Sequence, residues 1–249
     1  MANASECCWF PKNISNKMDK YLYLFINFAS VLVPFVASFY SKHPFYKKWK
    51  NYFIANFIVA FFFIVWDIIF TKIGVWGFNE RYLIGVKLSA IPLEEVLFFF
   101  CIPYSSVFVY FALNYLMKIN PLEKFHAVIT LFLVISLTIV GLTFWNHLYT
   151  SITFLLCAIF SLYNYLKRID MSRIFFSYLV TLIFFFIVNG VLTGSYIDEP
   201  VVWYNNNENL GIRMGTIPFE DIFYGFLLIA SIIQIFEYLN TKDNKVKPI

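Results

Sequence analysis

Long apolar stretches constrain this chain more than any other feature. Seven can be marked, at approximately Tyr21–Ser41, Tyr52–Thr71, Ile91–Leu116, Phe125–Phe144, Leu148–Leu166, Ile174–Leu192 and Thr216–Leu239. Several exceed the roughly 18–20 residues that cross a hydrocarbon core. In lipid every backbone donor must be satisfied within its own segment, so these are helices rather than strands. Only 14% of the residues are charged and 60% are hydrophobic, whereas a soluble domain carries about 25% charged residues. The expected class is an all-α integral membrane protein.

The basic residues lie unevenly between the loops. Twelve (Lys42, Lys47, Lys48, Lys50, Lys118, Lys124, Lys167, Arg168, Arg173, Lys242, Lys245 and Lys247) fall after spans one, three and five and in the C-terminal tail. Seven (Lys12, Lys17, Lys20, Lys72, Arg81, Lys87 and Arg213) fall on the other side. The positive-inside rule then places the N-terminus outside and the C-terminus in the cytoplasm. The net charge of +4 is dispersed among short loops and gives no reason to expect nucleic acid as a partner. Met1 to Lys20 is polar and charged, so no cleavable signal is expected there.

Two outer loops, Lys72 to Ala90 and Thr193 to Gly215, are long, and each leads into a helix through Ile-Pro. Around them the chain repeats itself. Gly85-Val-Lys-Leu-Ser-Ala-Ile-Pro-Leu-Glu-Glu95 returns 126 positions later as Gly211-Ile-Arg-Met-Gly-Thr-Ile-Pro-Phe-Glu-Asp221. Trp76 and Trp203 precede the two copies at nearly the same distance. The offset superposes spans one to three on spans five to seven and leaves span four as a linker. Two parallel three-helix repeats, related by a pseudo-twofold along the membrane normal, follow. The expected units are residues 1–20 as a tail, 21–117 as the first repeat, 118–146 as the linker, 147–240 as the second repeat and 241–249 as a tail.

Pro92 and Pro218 suit the first helical position. Glu94, Glu95, Glu220 and Asp221 then fall in the first turn of spans three and seven, where the helix dipole favours acids. Such acids can be ordinary helix-start residues paired with Lys87 and Arg213. Duplication of the whole pattern tips the reading to function, because ionisable groups this close to hydrocarbon are costly.

At these positions the sequence resembles the lycopene cyclase domain family, the membrane-embedded type that works without flavin. The resemblance rests on the two repeated segments and on Met18-Asp-Lys-Tyr-Leu-Tyr-Leu leading into span one. It covers nearly the whole chain as two fused tandem domains. It implies an isomerase that turns the acyclic ends of lycopene into β-rings. An acid protonates the terminal double bond, the neighbouring double bond attacks the carbocation, and a base removes a ring proton. Glu94 and Glu220 are the expected prime pair, with Glu95 and Asp221 as partners. Lys87, Arg213 and Asp67 (whose weaker counterpart is Asn189) are expected in support. Trp76, Phe78, Phe98, Trp203, Tyr204 and Tyr224 are expected substrate-binding residues, since aromatic faces stabilise carbocations; Trp66, Tyr82 and Tyr104 are near enough to contribute. The implied partners are a carotenoid substrate and the bilayer, with association with other carotenoid-pathway enzymes open to it.

No cofactor is expected: the nine glycines form no nucleotide-binding fingerprint. Gly215 to Leu239 contains no lysine for a retinal Schiff base. No metal is expected from His43, His126 and His147, which are far apart, or from Cys7, Cys8, Cys101 and Cys157, which lack ligand spacing. The alternative from another class is a small transporter built on parallel three-helix repeats.

Overall fold

The structure, a computed structural model, describes residues 18–246. Cys7, Cys8, Lys12, Lys17 and Lys247, and most of the N-terminal tail read for a signal, lie outside the described residues. Among the described residues seven helices are long and apolar enough to cross a membrane. They are α1 (Leu22–Ala37), α2 (Trp49–Lys72), α3 (Leu93–Leu116), α4 (His126–Thr143), α5 (Leu148–Leu166), α6 (Ser172–Leu192) and α7 (Glu220–Val246). Outward faces such as Phe57, Ile58, Phe61 and Phe62 of α2 are exposed and uncharged, as a lipid-facing surface requires. α4 packs against α5 and is joined to it by a tight turn, in which the His147 N–H donates to the Phe144 carbonyl at 2.9 Å.

The helix starts differ from expectation at the two repeated segments. Pro92 and Pro218 stand just before α3 and α7, in short strands, rather than at the first helical position. β2 (Lys87–Leu88) pairs antiparallel with β3 (Ile91–Pro92), and β5 (Arg213–Met214) pairs with β6 (Ile217–Pro218). Two-residue turns join the strands, with positive φ at Ser89 (59°) and Gly215 (65°). The chain then closes each hairpin the same way: the Leu93 N–H donates to Val86 at 2.8 Å and the Phe219 N–H to Ile212 at 3.0 Å.

A third ribbon joins the two copies. β1 (Trp76–Phe78) pairs antiparallel with β4 (Val202–Tyr204) in the register Trp76 with Tyr204, Gly77 with Trp203 and Phe78 with Val202. The same 126-residue offset carries Gly77 to Trp203, so that pair sits on the pseudo-twofold. Trp76 therefore corresponds to Val202, not to Trp203. The indole of Trp203 covers Gly77 so closely that a Cβ there would lie 2.3 Å from it. Further bonds lock the halves at this end: Arg81 meets Asp198 at 3.1 Å, its guanidinium held also by Asp19 of its own half at 2.8 Å, and Asn79 donates to Glu199 at 2.8 Å.

Candidate active site

The first acid of each pair serves its own hairpin. Glu94 accepts the Ile84 N–H at 2.6 Å, and Glu220 accepts the Leu210 N–H at 2.7 Å and the Thr150 hydroxyl at 2.5 Å. Both carboxyls are fully buried. Gly85 and Gly211, at φ of 90° and 69°, follow the anchored residues and give the left-handed turn that brings their N–H groups round. Replacing either glutamate by Ala orphans a loop N–H, for an expected loss of about 1–3 kcal/mol. Thermal unfolding in detergent measures it, and Glu94→Gln and Glu220→Gln, which keep the acceptor, are expected to lose less.

The second acid of each pair turns into a shared cavity. Glu95 accepts the Tyr23 hydroxyl at 2.5 Å and Asp221 the Tyr149 hydroxyl at 2.5 Å. These tyrosines, from the first helix of each copy, are again 126 positions apart. Asp67, near the end of α2 and only 2% exposed, lines the same cavity and accepts the Trp76 indole N–H at 2.5 Å. Three carboxyl groups from both repeats thus face one space. The walls are aromatic: Trp76, Phe78, Phe98, Tyr149, Tyr204 and Tyr224.

The two halves are not equally furnished. Asp221 receives two more donors, Asn189 at 2.7 Å and the Tyr204 hydroxyl at 2.9 Å. Phe78 occupies the position equivalent to Tyr204 and has no hydroxyl to give. Although Tyr204 as a whole is half-buried, its phenol end is enclosed. That burial, with Asp221 beside it, pushes the phenol well above its ordinary range, so it remains a donor.

Several residues singled out in the sequence stand elsewhere. Lys87 pairs with exposed Glu80, and Arg213 binds the Thr216 carbonyl at 2.9 Å and Asn206 at 2.7 Å while lying over the Tyr204 ring. The expected ion pairs from these cations to the duplicated acids are absent among the described residues, because the hairpins turn both side chains away from the cavity. Trp203 is 45% exposed on the outer face of the ribbon. Tyr104 is at the far end of the bundle with Ser38 and Trp49. Tyr82 packs in a separate apolar cluster with Tyr23 and Leu83, and Trp66 packs on Tyr224 behind the wall. Tyr23 and Tyr149 were not singled out, although the offset that linked the acids also linked them.

Taken together, the geometry is that of a duplicated, polytopic membrane protein with three buried carboxyl groups in one aromatic-walled cavity at its seam. Comparison with known proteins fixes the family. A model described as lycopene cyclase matches residues 20–113 and 146–239, two segments separated by the same offset. The chain belongs to the lycopene cyclase family, whose enzymes are isomerases of the intramolecular lyase type. It is 30% identical over 95 residues to a bifunctional lycopene cyclase/phytoene synthase of Pyrenophora tritici-repentis, a match covering 37% of this chain and 16% of that protein. No solved structure matches the chain. Family membership sets the transporter reading aside.

Proposed function

We propose that the chain closes the acyclic ends of lycopene into β-rings by acid–base chemistry with no net oxidation or reduction. The observation that carries this reading is the unequal furnishing of two equivalent acids in one aromatic cavity. An ionised carboxylate only accepts hydrogen bonds, and the three donors around Asp221 suit it to that state and to the role of base. Glu95, with Tyr23 as its one donor among the described residues, is the acid. Its proton adds to the terminal double bond and leaves a tertiary carbocation. The neighbouring double bond attacks, which forms the ring bond and moves the positive charge into the ring. Asp221 then takes a ring proton, and the electrons of that C–H bond restore a double bond. Each turnover leaves the proton on Asp221, and Asp67, in the same lining, can carry it back to Glu95. The walls from Trp76, Phe78, Phe98, Tyr204 and Tyr224 stabilise the cation by up to about 2 kcal/mol per desolvated face without offering a nucleophile. The bias of basic residues puts this end of the bundle on the outer side of the membrane.

The test is expression in a lycopene-accumulating bacterium, with the pigments separated and weighed by mass spectrometry. The expected product is cyclic, has the mass of lycopene, and gains up to one deuterium per ring when membranes are assayed in D2O, the full label arising where the carboxyl protons exchange with solvent between turnovers. Unchanged lycopene in membranes that contain the protein would overturn the assignment.

A further inference from the structure

The cavity does not respect the pseudo-twofold. From the carboxyl groups it runs down one side of the bundle only, along Glu95, Phe98 and Ile102 of α3, Phe185, Asn189 and Leu192 of α6, and Asp221, Gly225 and Ile229 of α7. Glu95 to Ile102 is seven helical steps, about 10 Å at 1.5 Å per residue. α1, α2 and α5 contribute Tyr23, Asp67 and Tyr149 alone, all at the carboxyl end.

One substitution between the repeats explains the asymmetry. Gly225 corresponds to Phe99 at the 126-residue offset. Phe99 is 1% exposed and packs with Phe63 at 6.3 Å between ring centres. Phe63 meets Tyr224 at 5.0 Å, and Trp66 meets Tyr224 at 5.0 Å. The interface between α2 and α7 is therefore closed by rings. On the other side Gly225, with no ring of its own, lines the cavity; a Cβ there would lie 3.0 Å from the Tyr178 hydroxyl and 3.9 Å from Phe185. Phe98, Ile102 and Phe185 are half-buried there, at the bilayer surface, while Leu228 and Ile229 form a buried floor. The space holds about 70 Å³, about half the roughly 150 Å³ of an apolar cavity known to take up benzene. A ring cannot form unless wall residues move, and on this side Phe98, Ile102 and Phe185 are half-buried, whereas Phe99 and Phe63 on the other side are buried.

We propose that the linear substrate enters sideways from the bilayer between α3 and α6, its chain lying in the crevice beside Gly225 and its end at Glu95 and Asp221. This rests on the cyclase reading above and specifies the path by which that site is filled. Gly225 sets the path, and Phe99 closes its pseudo-symmetric counterpart. A single crevice admits one end at a time, so a molecule with two ends must leave and turn round before the second can react.

The experiment expresses the full chain in lycopene-accumulating cells as wild type, Gly225→Leu, Gly225→Leu with Phe185→Ala, and Ile102→Trp. Protein in the membrane is measured by immunoblot. Gly225→Leu is expected to lower conversion at least tenfold at equal protein. The double variant, in which the leucine can move into the space that Phe185 vacates, is expected to recover most of it at equal protein in the membrane. Should Gly225→Leu fail to accumulate, Ile102→Trp at the crevice mouth carries the same expectation. Full conversion by Gly225→Leu, or by Ile102→Trp in its place, would overturn the proposed path. A loss that Phe185→Ala does not relieve would do the same. Absence of conversion by the wild type would instead overturn the cyclase reading.

Discussion

Glu95→Gln and Asp221→Asn are each expected to lower cyclisation by about 10²- to 10⁴-fold, the usual contribution of a positioned general acid or base. Both amides keep the shape of the side chain and can still accept from Tyr23 or Tyr149, so the bundle should persist. What each loses is the proton chemistry. The two should differ in kind: without Glu95 no cation forms, whereas without Asp221 a cation forms and lacks a base. Assays in D2O separate them. Glu95→Gln should leave recovered lycopene unlabelled, and Asp221→Asn should return lycopene with deuterium exchanged into its terminal groups. Wild-type rates in both variants would remove these acids from the mechanism. The same isosteric change at Glu94 or Glu220, whose carboxyls hold loop backbone, is expected to cost stability rather than this labelling pattern.

The second large effect is expected at Gly77. Side chains alternate across a strand. Trp76, Phe78, Val202 and Tyr204 accordingly face the cavity, while the Trp203 indole lies on Gly77 at the outer face. The ribbon and its indole cover close the cavity at the end where water would reach it. Excluding water protects a reactive intermediate from side reactions. Gly77→Val forces the indole off and disturbs the ribbon that holds Tyr204 against Asp221. Ring formation is expected to fall by up to about a hundredfold, since a displacement near 1 Å can cost that much. Part of the substrate should instead appear as an acyclic tertiary alcohol, heavier than lycopene by one water, because water captures the cation. Trp203→Ala, which removes the cover and leaves the ribbon, should give the alcohol with a smaller loss of rate. Liquid chromatography with mass detection reads both. A loss of activity without any alcohol from either variant would show that the ribbon does not keep water out.

The seven spans were legible because each is long, apolar and flanked by polar residues. The fifth, Leu148–Leu166, matches residue for residue. The starts of spans three and seven were read two to four residues early, because Ile-Pro before an acid pair looks the same in a helix start and in a two-residue strand. The β1–β4 ribbon was not legible at all: three residues a side show no useful alternation, and its partner is supplied by the other repeat. Aligning Trp76 with Trp203 was natural from composition, yet the ribbon register shows that Trp203 stands opposite Gly77. The repeated motif drew attention to the acids and to Glu94 and Glu220 first, the two that here hold loop backbone. It could not say which acid of each pair faces inward, because adjacent helical residues point about 100° apart and the sequence does not set the rotation of the helix. Asp67 was expected in support from its place near the end of span two and its weaker counterpart Asn189, and it lines the cavity. Gly225 carried a signal too, visible only on comparing it with Phe99 at the same offset.

That Phe99–Gly225 difference bears on how the coding sequence can change. Tandem copies are exposed to gene conversion, in which one overwrites the other. Copying the first half onto the second would put phenylalanine on both sides of the bundle and leave the pocket sealed. Copying the second onto the first would hollow both sides and replace Glu95 by aspartate, Asp67 by asparagine and Phe78 by tyrosine, erasing the contrast between the two acids. Either event yields a well-patterned membrane bundle with a damaged site. Divergence between the halves is therefore protective in itself: the less alike they are as nucleic acid, the more rarely one can overwrite the other.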